Sequence, residues 1–185
     1  MPVLIRKVRD VFAAQFTAPQ LPETKPGVPD RAVLARMLSL DPSEVEAGQA
    51  YSCGVPFLFV PVQSRAVLAR IRLDLAVWEA ETRGSWAREV YAFTREGRDV
   101  FARMFAPRLG IAEDPATGAA AAALAGVLSD RSSAGLSEWT ISQGVEMGRP
   151  SILSLEADLG AGQIAAVRVG GKTIPMGEGK MRVVL

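Results

Sequence analysis

The sequence predicts an α+β fold in which a mostly antiparallel, curved sheet wraps around one buried apolar helix at about residues 117–129. Three observations carry that expectation. The stretch Ala119-Ala120-Ala121-Ala122-Ala123-Leu124-Ala125-Gly126-Val127-Leu128 is apolar all round yet built from strong helix formers, so it reads as a helix without a solvent face. The order of elements is strands, helices, strands, one helix and strands again, which suits α+β layering better than a doubly wound parallel sheet. The 185 residues are 49% hydrophobic, enough for a sizeable core.

Taken in order, residues 3–8 and 13–17 read as two short strands with a turn near Arg9 and Asp10. Pro19, Pro22, Pro26 and Pro29 then fall in a stretch without apolar periodicity, which marks residues 23–30 as an extended linker and the best domain boundary. A two-stranded piece is marginal by itself, so residues 1–22 must pack on something else. The main lobe is expected over residues 31–185. Asp30 can cap a helix over residues 31–40, whose Val33, Leu34, Met37 and Leu40 share a face, and Asp41 to Glu44 can start a further turn. Residues 50–52 and 57–62 read as strands; the second is apolar throughout and should be covered on both faces. Ser64 caps a helix expected to run from Arg65 to about Leu73, and a second helical piece follows to Arg83, stopped by Gly84. Strands are expected at 86–94 and 99–105, joined through Gly97, and after the central helix at 138–142, 151–159, 163–169 and 180–184. A loop should cover 130–135, and Gly170-Gly171 should form a turn.

Lys and Arg number 21 against 20 Asp and Glu, so no surplus charge steers the chain to nucleic acid or to an anionic membrane. Trp78, Trp86 and Trp139 lack interleaved basic residues and read as core or interface anchors, not stacking platforms. There is one cysteine, Cys53, and no histidine. Together these exclude a Ser-His or Cys-His pair, a histidine metal site and a disulfide within the chain. Cys53 is expected as a small core residue, no metal or cofactor is expected, and a reducing cytoplasm is the expected compartment. The longest apolar run is about half of what spans a bilayer.

The turn Asp114-Pro115-Ala116-Thr117-Gly118 before the central helix is the candidate site. If Asp114 is the N-cap, Pro115 occupies the first helical position and the carboxylate is consumed by the helix. If Thr117 is the N-cap, the amides of Gly118, Ala119 and Ala120 are free, Gly118 admits a ligand close to the backbone, and Asp114 faces that ligand. The second arrangement suits proton chemistry beside a bound carboxylic acid. No lysine in P-loop position and no GxGxxG accompany the turn, so nucleotide binding is disfavoured. Arg103, on a strand just before the turn, could meet a carboxylate or serve as an ordinary ion-pair partner.

Residues 102–107 (ARMFAP) and 109–120 (LGIAEDPATGAA), followed by 143–151 (QGVEMGRPS), resemble the phenazine-biosynthesis PhzF-like isomerase family. Weaker similarity reaches back to Phe16-Thr17-Ala18-Pro19 and Gly54-Val55-Pro56-Phe57. The resemblance implies a fold akin to diaminopimelate epimerase, with two lobes that each wrap a curved sheet on a central helix and an active site in the cleft between them. It implies a cofactor-independent acid/base proton shift on a small carboxylic acid. By motif, Asp114 takes the place of the family's active-site aspartate and Gly118 that of the glycine at the helix start, with Thr117 and Ala119 beside them as substrate-binding positions. This favours Thr117 as the cap. Ala119 departs from the serine often found there, which removes a hydroxyl and keeps the amide. The cysteine that epimerase relatives carry in this turn is absent, so a two-thiol mechanism is not expected.

The family's catalytic glutamate, its Gly-Asn entry to the first central helix and its Cys-Gly-His-type segment have no counterpart here. The chain is therefore expected to match the later portion of the family, with residues 1–22 as remnant strands of a first lobe and the last strands returning toward that side. Alone it should present half a cleft and be inactive. A separate first-lobe polypeptide, or a second copy of the chain in a homodimer, would cover the exposed surface; the homodimer could instead be a non-catalytic binder of small acids or a purely structural protein.

Overall fold

The computed structural model describes residues 3–8, 11–130, 132, 134–160, 162–174 and 177–182. In chain order the elements are β1 (Val3–Val8), β2 (Val11–Thr17), β3 (Glu23–Thr24), α1 (Arg31–Leu38), β4 (Gln49–Ser52), β5 (Pro56–Pro61), α2 (Arg65–Arg70) and α3 (Leu75–Thr82). There follow β6 (Glu89–Glu96), β7 (Asp99–Ala106), β8 (Ile111–Asp114), α4 (Gly118–Leu128), β9 (Gly135–Gln143), β10 (Ser151–Gly160) and β11 (Gln163–Thr173). Single 3-10 turns lie at Pro42–Glu44 and Pro107–Leu109.

The strands form one curled sheet in the order β1-β2-β11-β10-β9-β7-β6-β5-β4-β3, with β8 attached to β7. Neighbours are antiparallel except β5 with β6 and β7 with β9. Each parallel pair needs a long crossover. The first crossover carries α2 and α3. The second carries β8 and α4, and so delivers the Asp114–Gly118 turn to the end of the sheet beside β7 and β9.

The two faces bury separate cores. Phe57 and Phe59 of β5 pack toward α4 with Tyr91, Met104, Ile141, Leu155 and Val169. Leu58 and Val60, one residue out of step, pack toward α1, α2 and α3 with Leu34, Leu38, Val90 and Phe105. That alternation is why the strand is apolar at every position. In α4 the residues from Ala120 to Gly126, and Leu128, are all buried. Small side chains let the sheet close on the helix. At Gly126 an added Cβ would lie 2.4 Å from the ring of Tyr51 and 2.9 Å from Pro22, so no larger residue fits.

Local chemistry sets the element ends. Asp30 accepts a hydrogen bond from the Val33 amide at 2.9 Å and caps α1. Helix α1 stops at Leu38, short of the expected Leu40, because Ser39 turns left-handed at φ 56° and returns its N–H to the carbonyls of Ala35 and Arg36. Helix α2 stops at Arg70 and not near Leu73, since the amides of Arg72 and Asp74 donate to the Leu38 and Met37 carbonyls of α1, while Arg103 donates to the carbonyls of Leu68 and Ile71. Asp74 then caps α3. The strand expected from Trp86 begins at Glu89.

Gly170 and Gly171 do not form a turn. They lie inside β11, opposite Gln15 and Ala14 of β2 on one side and Ser154 and Leu153 of β10 on the other. A Cβ on Gly170 would sit 2.9 Å from the Ala14 carbonyl oxygen, so the glycine serves close strand packing. The expected strand at 180–184 is not formed over residues 180–182, and its remainder lies outside the described residues. The turn placed at Arg9 and Asp10 lies outside them as well, as do residues 131 and 133 of the expected loop.

The β1–β2 hairpin is no separate unit. β2 pairs with β11 from Thr17 opposite Arg168 to Phe12 opposite Thr173. The proline-rich stretch is extended, but Glu23 and Thr24 pair with Ser52 and Tyr51. Among the described residues no helix is long and apolar enough to cross a membrane.

Candidate functional site

Asp114 ends β8, where it lies opposite Met104 of β7. Strand pairing therefore keeps it out of the helix, and the N-cap of α4 is Thr117, at φ −115° and ψ 88°. Among the described residues no side chain caps this helix start. The first α-helical hydrogen bond runs from the Ala121 amide to the Thr117 carbonyl at 2.9 Å. The amides of Gly118, Ala119 and Ala120 consequently have no acceptor among the described residues. They point along the positive end of the helix dipole. Ala120 is buried, Gly118 half-buried and Ala119 exposed.

The Asp114 carboxylate stands beside these amides. Its Oδ2 accepts a hydrogen bond from the Thr117 hydroxyl at 2.5 Å. Its Oδ1 accepts none from the described residues, and the side chain is half-buried. Asp114, Thr117, Gly118 and Ala119 are thus brought together in one turn, in the second of the two arrangements open to the sequence.

Gln143, at the end of β9, is fully buried with 0% exposure. Its Nε2 donates to the Asp114 carbonyl at 2.7 Å and to the Thr117 Oγ1 at 2.9 Å. Its Oε1 accepts from the Thr117 amide at 3.4 Å and from the Tyr91 hydroxyl at 3.2 Å. Tyr91 is completely buried, and burial pushes its phenol well above the ordinary range, so it remains a donor. Next in the chain, Gly144 has φ +77°, and a Cβ there would lie 2.4 Å from the Arg149 carbonyl oxygen and 2.9 Å from Pro115. The Asp-Pro-Ala-Thr-Gly turn and the Gln143–Ser151 turn are in this way one packed unit.

Two neighbours complete the setting. Phe16 of β2 lies across the helix start, with its ring 3.2 Å from where a Gly118 Cβ would be. Behind β8, Arg103 forms a bidentate pair with Glu113 at 2.9 and 2.8 Å and donates from Nη1 to the carbonyls of Leu68 and Ile71 at the end of α2. Arg103 is buried and turned away from the Asp114 turn, which makes it a brace and not a ligand group. Cys53 is half-buried against the α4 core, and burial pushes its thiol up to about 12, so it stays protonated and unreactive near neutral pH. Among the described residues no group of three His, Cys, Asp or Glu side chains is placed to hold a metal.

Gln143 and Tyr91 are the site residues that sequence reasoning missed. Gln143 falls just past the strand expected at 138–142, and Tyr91 lies inside the one expected at 86–94, with no site role expected of either. The available signal was a polar residue closing an otherwise apolar-alternating strand at Trp139, Ile141 and Gln143.

Comparison with known proteins gives consistent matches. A family model described as phenazine biosynthesis-like protein matches residues 2–179. An uncharacterized isomerase of Mesorhizobium japonicum is 35% identical over 181 residues, covering 91% of this chain and 60% of the relative. A trans-2,3-dihydro-3-hydroxyanthranilate isomerase of Pseudomonas chlororaphis is 38% identical over 91 residues, 49% of this chain and 33% of the relative. Among solved structures, a PhzF-family phenazine biosynthesis protein of Bacillus anthracis aligns with a TM-score of 0.76 at 16% identity, over 94% of this chain and 65% of that one. A predicted epimerase of Pseudomonas aeruginosa aligns with a TM-score of 0.68 at 25% identity, over 95% and 63%. The chain spans less than two thirds of the length of these proteins, while the family model and the solved structures match almost all of its own residues.

Proposed function

The chain belongs to the phenazine biosynthesis-like protein family, and on that footing we propose that it is one lobe of a cofactor-independent isomerase that shifts a proton on a small carboxylic acid. The observation that carries this reading is the pairing of three unclaimed amides at Gly118–Ala120 with a carboxylate whose Oδ1 is unengaged. A substrate carboxylate seated on the amides is held by N–H donors and the helix dipole. Asp114 then lies alongside as an acid/base group, within the same turn.

A proton shift takes a proton from one position and returns one to another, and in this reading a second acid/base group faces the first across the cleft. That group is a carboxylate supplied by a segment outside these 185 residues, carried by a first lobe on the same or a separate polypeptide. A second copy of the chain can cover the same surface, as a homodimer. In this reading the 185 residues correspond to the later portion of the family's length, and alone they bind the acid without turning it over.

Calorimetry with benzoate as the probe tests the site. Gly118→Pro removes one amide at the first helical position, where proline is tolerated, and Asp114→Asn removes the carboxylate charge. Wild type should bind benzoate saturably, and Gly118→Pro should weaken it about tenfold, the loss of one hydrogen bond to a charged group. No saturable binding, or binding indifferent to Gly118→Pro, overturns the site. For the reaction, deuterium wash-in from D2O into trans-2,3-dihydro-3-hydroxyanthranilate should require an added first-lobe polypeptide and vanish in Asp114→Asn. Wash-in that survives Asp114→Asn removes Asp114 from the chemistry.

A further inference from the structure

We infer that Gln143 is a positioning residue that fixes which oxygen of Asp114 handles the proton, reserving Oδ2 as an acceptor and leaving Oδ1 for the ligand. The inference rests on the reading of Asp114 as the acid/base group and adds the direction of every hydrogen bond behind it.

The direction follows from two backbone groups that cannot reverse roles. The Asp114 carbonyl can only accept, and it lies 2.7 Å from one end of the Gln143 amide, so that end is the NH2. The Thr117 amide can only donate, and it faces the other end, so that end is the oxygen. With the amide oriented, its second N–H is aimed at Thr117 Oγ1, 2.9 Å away. The hydroxyl must therefore accept from Gln143, and among the described residues its own proton has one remaining acceptor in reach, Asp114 Oδ2 at 2.5 Å. Tyr91 donates to the Gln143 oxygen and closes the far end of the relay.

An oxygen that already receives the Thr117 proton is a poor place for another. When Asp114 carries a proton, it sits on Oδ1. In donation the Oδ1–H bond breaks, its electron pair stays on the carboxylate, and the proton goes to the ligand atom whose lone pair faces Oδ1. In abstraction the same atom takes the proton back. Gln143 touches neither the ligand nor the carboxylate; it acts through Thr117.

Solution NMR of the intact chain tests this. The Thr117 hydroxyl proton should be observable through its cross-peak to the Thr117 methyl, and both side-chain amide protons of Gln143 should exchange slowly. Gln143→Met, of similar volume without donors, should lose the hydroxyl resonance while the dispersed amide spectrum persists, and Thr117→Ser should retain a hydroxyl resonance in its place. A hydroxyl signal that survives Gln143→Met overturns the inference. Fast exchange of either Gln143 amide proton in wild type overturns it without any variant. Benzoate binding is measured on the same samples. Binding without the relay signals removes the inference alone, whereas relay signals without binding remove the functional reading and with it any role for Oδ1.

Discussion

Gln143 Nε2 donates to the main-chain carbonyl of Asp114 at 2.7 Å, tying the end of β9 to the end of β8 across the whole central crossover. The bond has more than a local effect, since the same amide serves Thr117 and receives Tyr91. Gln143→Leu keeps the volume and strands these partners. A buried polar group left without a partner costs about 1–3 kcal/mol, so a loss of at least about 2 kcal/mol is expected in urea unfolding. A loss below about 0.5 kcal/mol would mean that water replaces the amide and that the turn does not depend on it.

Glycines on the two sides of this contact should respond unequally. Gly144→Ala must place a Cβ 2.4 Å from the Arg149 carbonyl oxygen with φ at +77°, where L residues are strained. Backbone strain of this kind costs about 1–3 kcal/mol, before the clash with Pro115 is counted. Gly118→Ala meets only the edge of the Phe16 ring at 3.2 Å and replaces glycine at a helical position by a better helix former. Thermal unfolding should therefore show a several-degree fall in Tm for Gly144→Ala and a change within about 1 kcal/mol for Gly118→Ala.

How much of this was legible depended on the range of the cause. Helix α4 and strand β5 were readable because burial acts on every one of their side chains. Asp30 and Ser64 were readable because capping is settled within a few residues, whereas the cap of α4 stayed open between Asp114 and Thr117 because the pairing of Asp114 with Met104 decides it. The ends of α2, the strand role of Gly170 and Gly171, and the hydrogen bonds of Gln143 were not. Arg103 is more than thirty residues from the carbonyls it binds, Gly170 answers to a strand at the other end of the chain, and Gln143 reaches back across α4. At the site, Asp114 and Gly118 carry a local signature, while the residue that orients them shows only as a buried polar group once the sheet is assembled.

The Arg103–Glu113 pair should prove structural. Both side chains are nearly buried, at 11% and 13% exposure, and the bidentate geometry leaves little unsatisfied. Removing one partner from such a pair leaves a buried charge and costs about 3–5 kcal/mol. Arg103→Met should lose that much and also free the end of α2. Glu113→Met in the same chain should recover part of the loss, because the unpaired carboxylate is then gone. A double-mutant cycle in urea measures the coupling, and additive losses would show that the two charges do not stabilise each other.

Arg168 binds Asp158 through two hydrogen bonds, at 2.7 and 2.8 Å, and Glu156 through a third at 2.8 Å, while Gln15 of β2 donates to the other oxygen of Glu156 at 2.8 Å. This cluster fastens the β1–β2 hairpin to the β10–β11 pair. The hydrogen bond from Arg168 holds the Asp158 carboxyl below the usual carboxylate range, and the guanidinium is raised in turn, so it stays charged at every relevant pH. The folded value of Asp158 lies below the unfolded one. Its contribution is therefore fully present above about pH 4, the unfolded value, and is lost as pH falls through the folded value. Asp158 is 43% exposed, so solvent screening keeps the pair to about 1 kcal/mol or less. Arg168→Met should accordingly be less stable than wild type at pH 7, with the gap narrowing as pH drops below about 4. Urea unfolding at a series of pH values reads this directly. A gap that stays constant down to pH 2 would assign the loss to side-chain packing of Arg168 on the sheet and not to its pairing with Asp158.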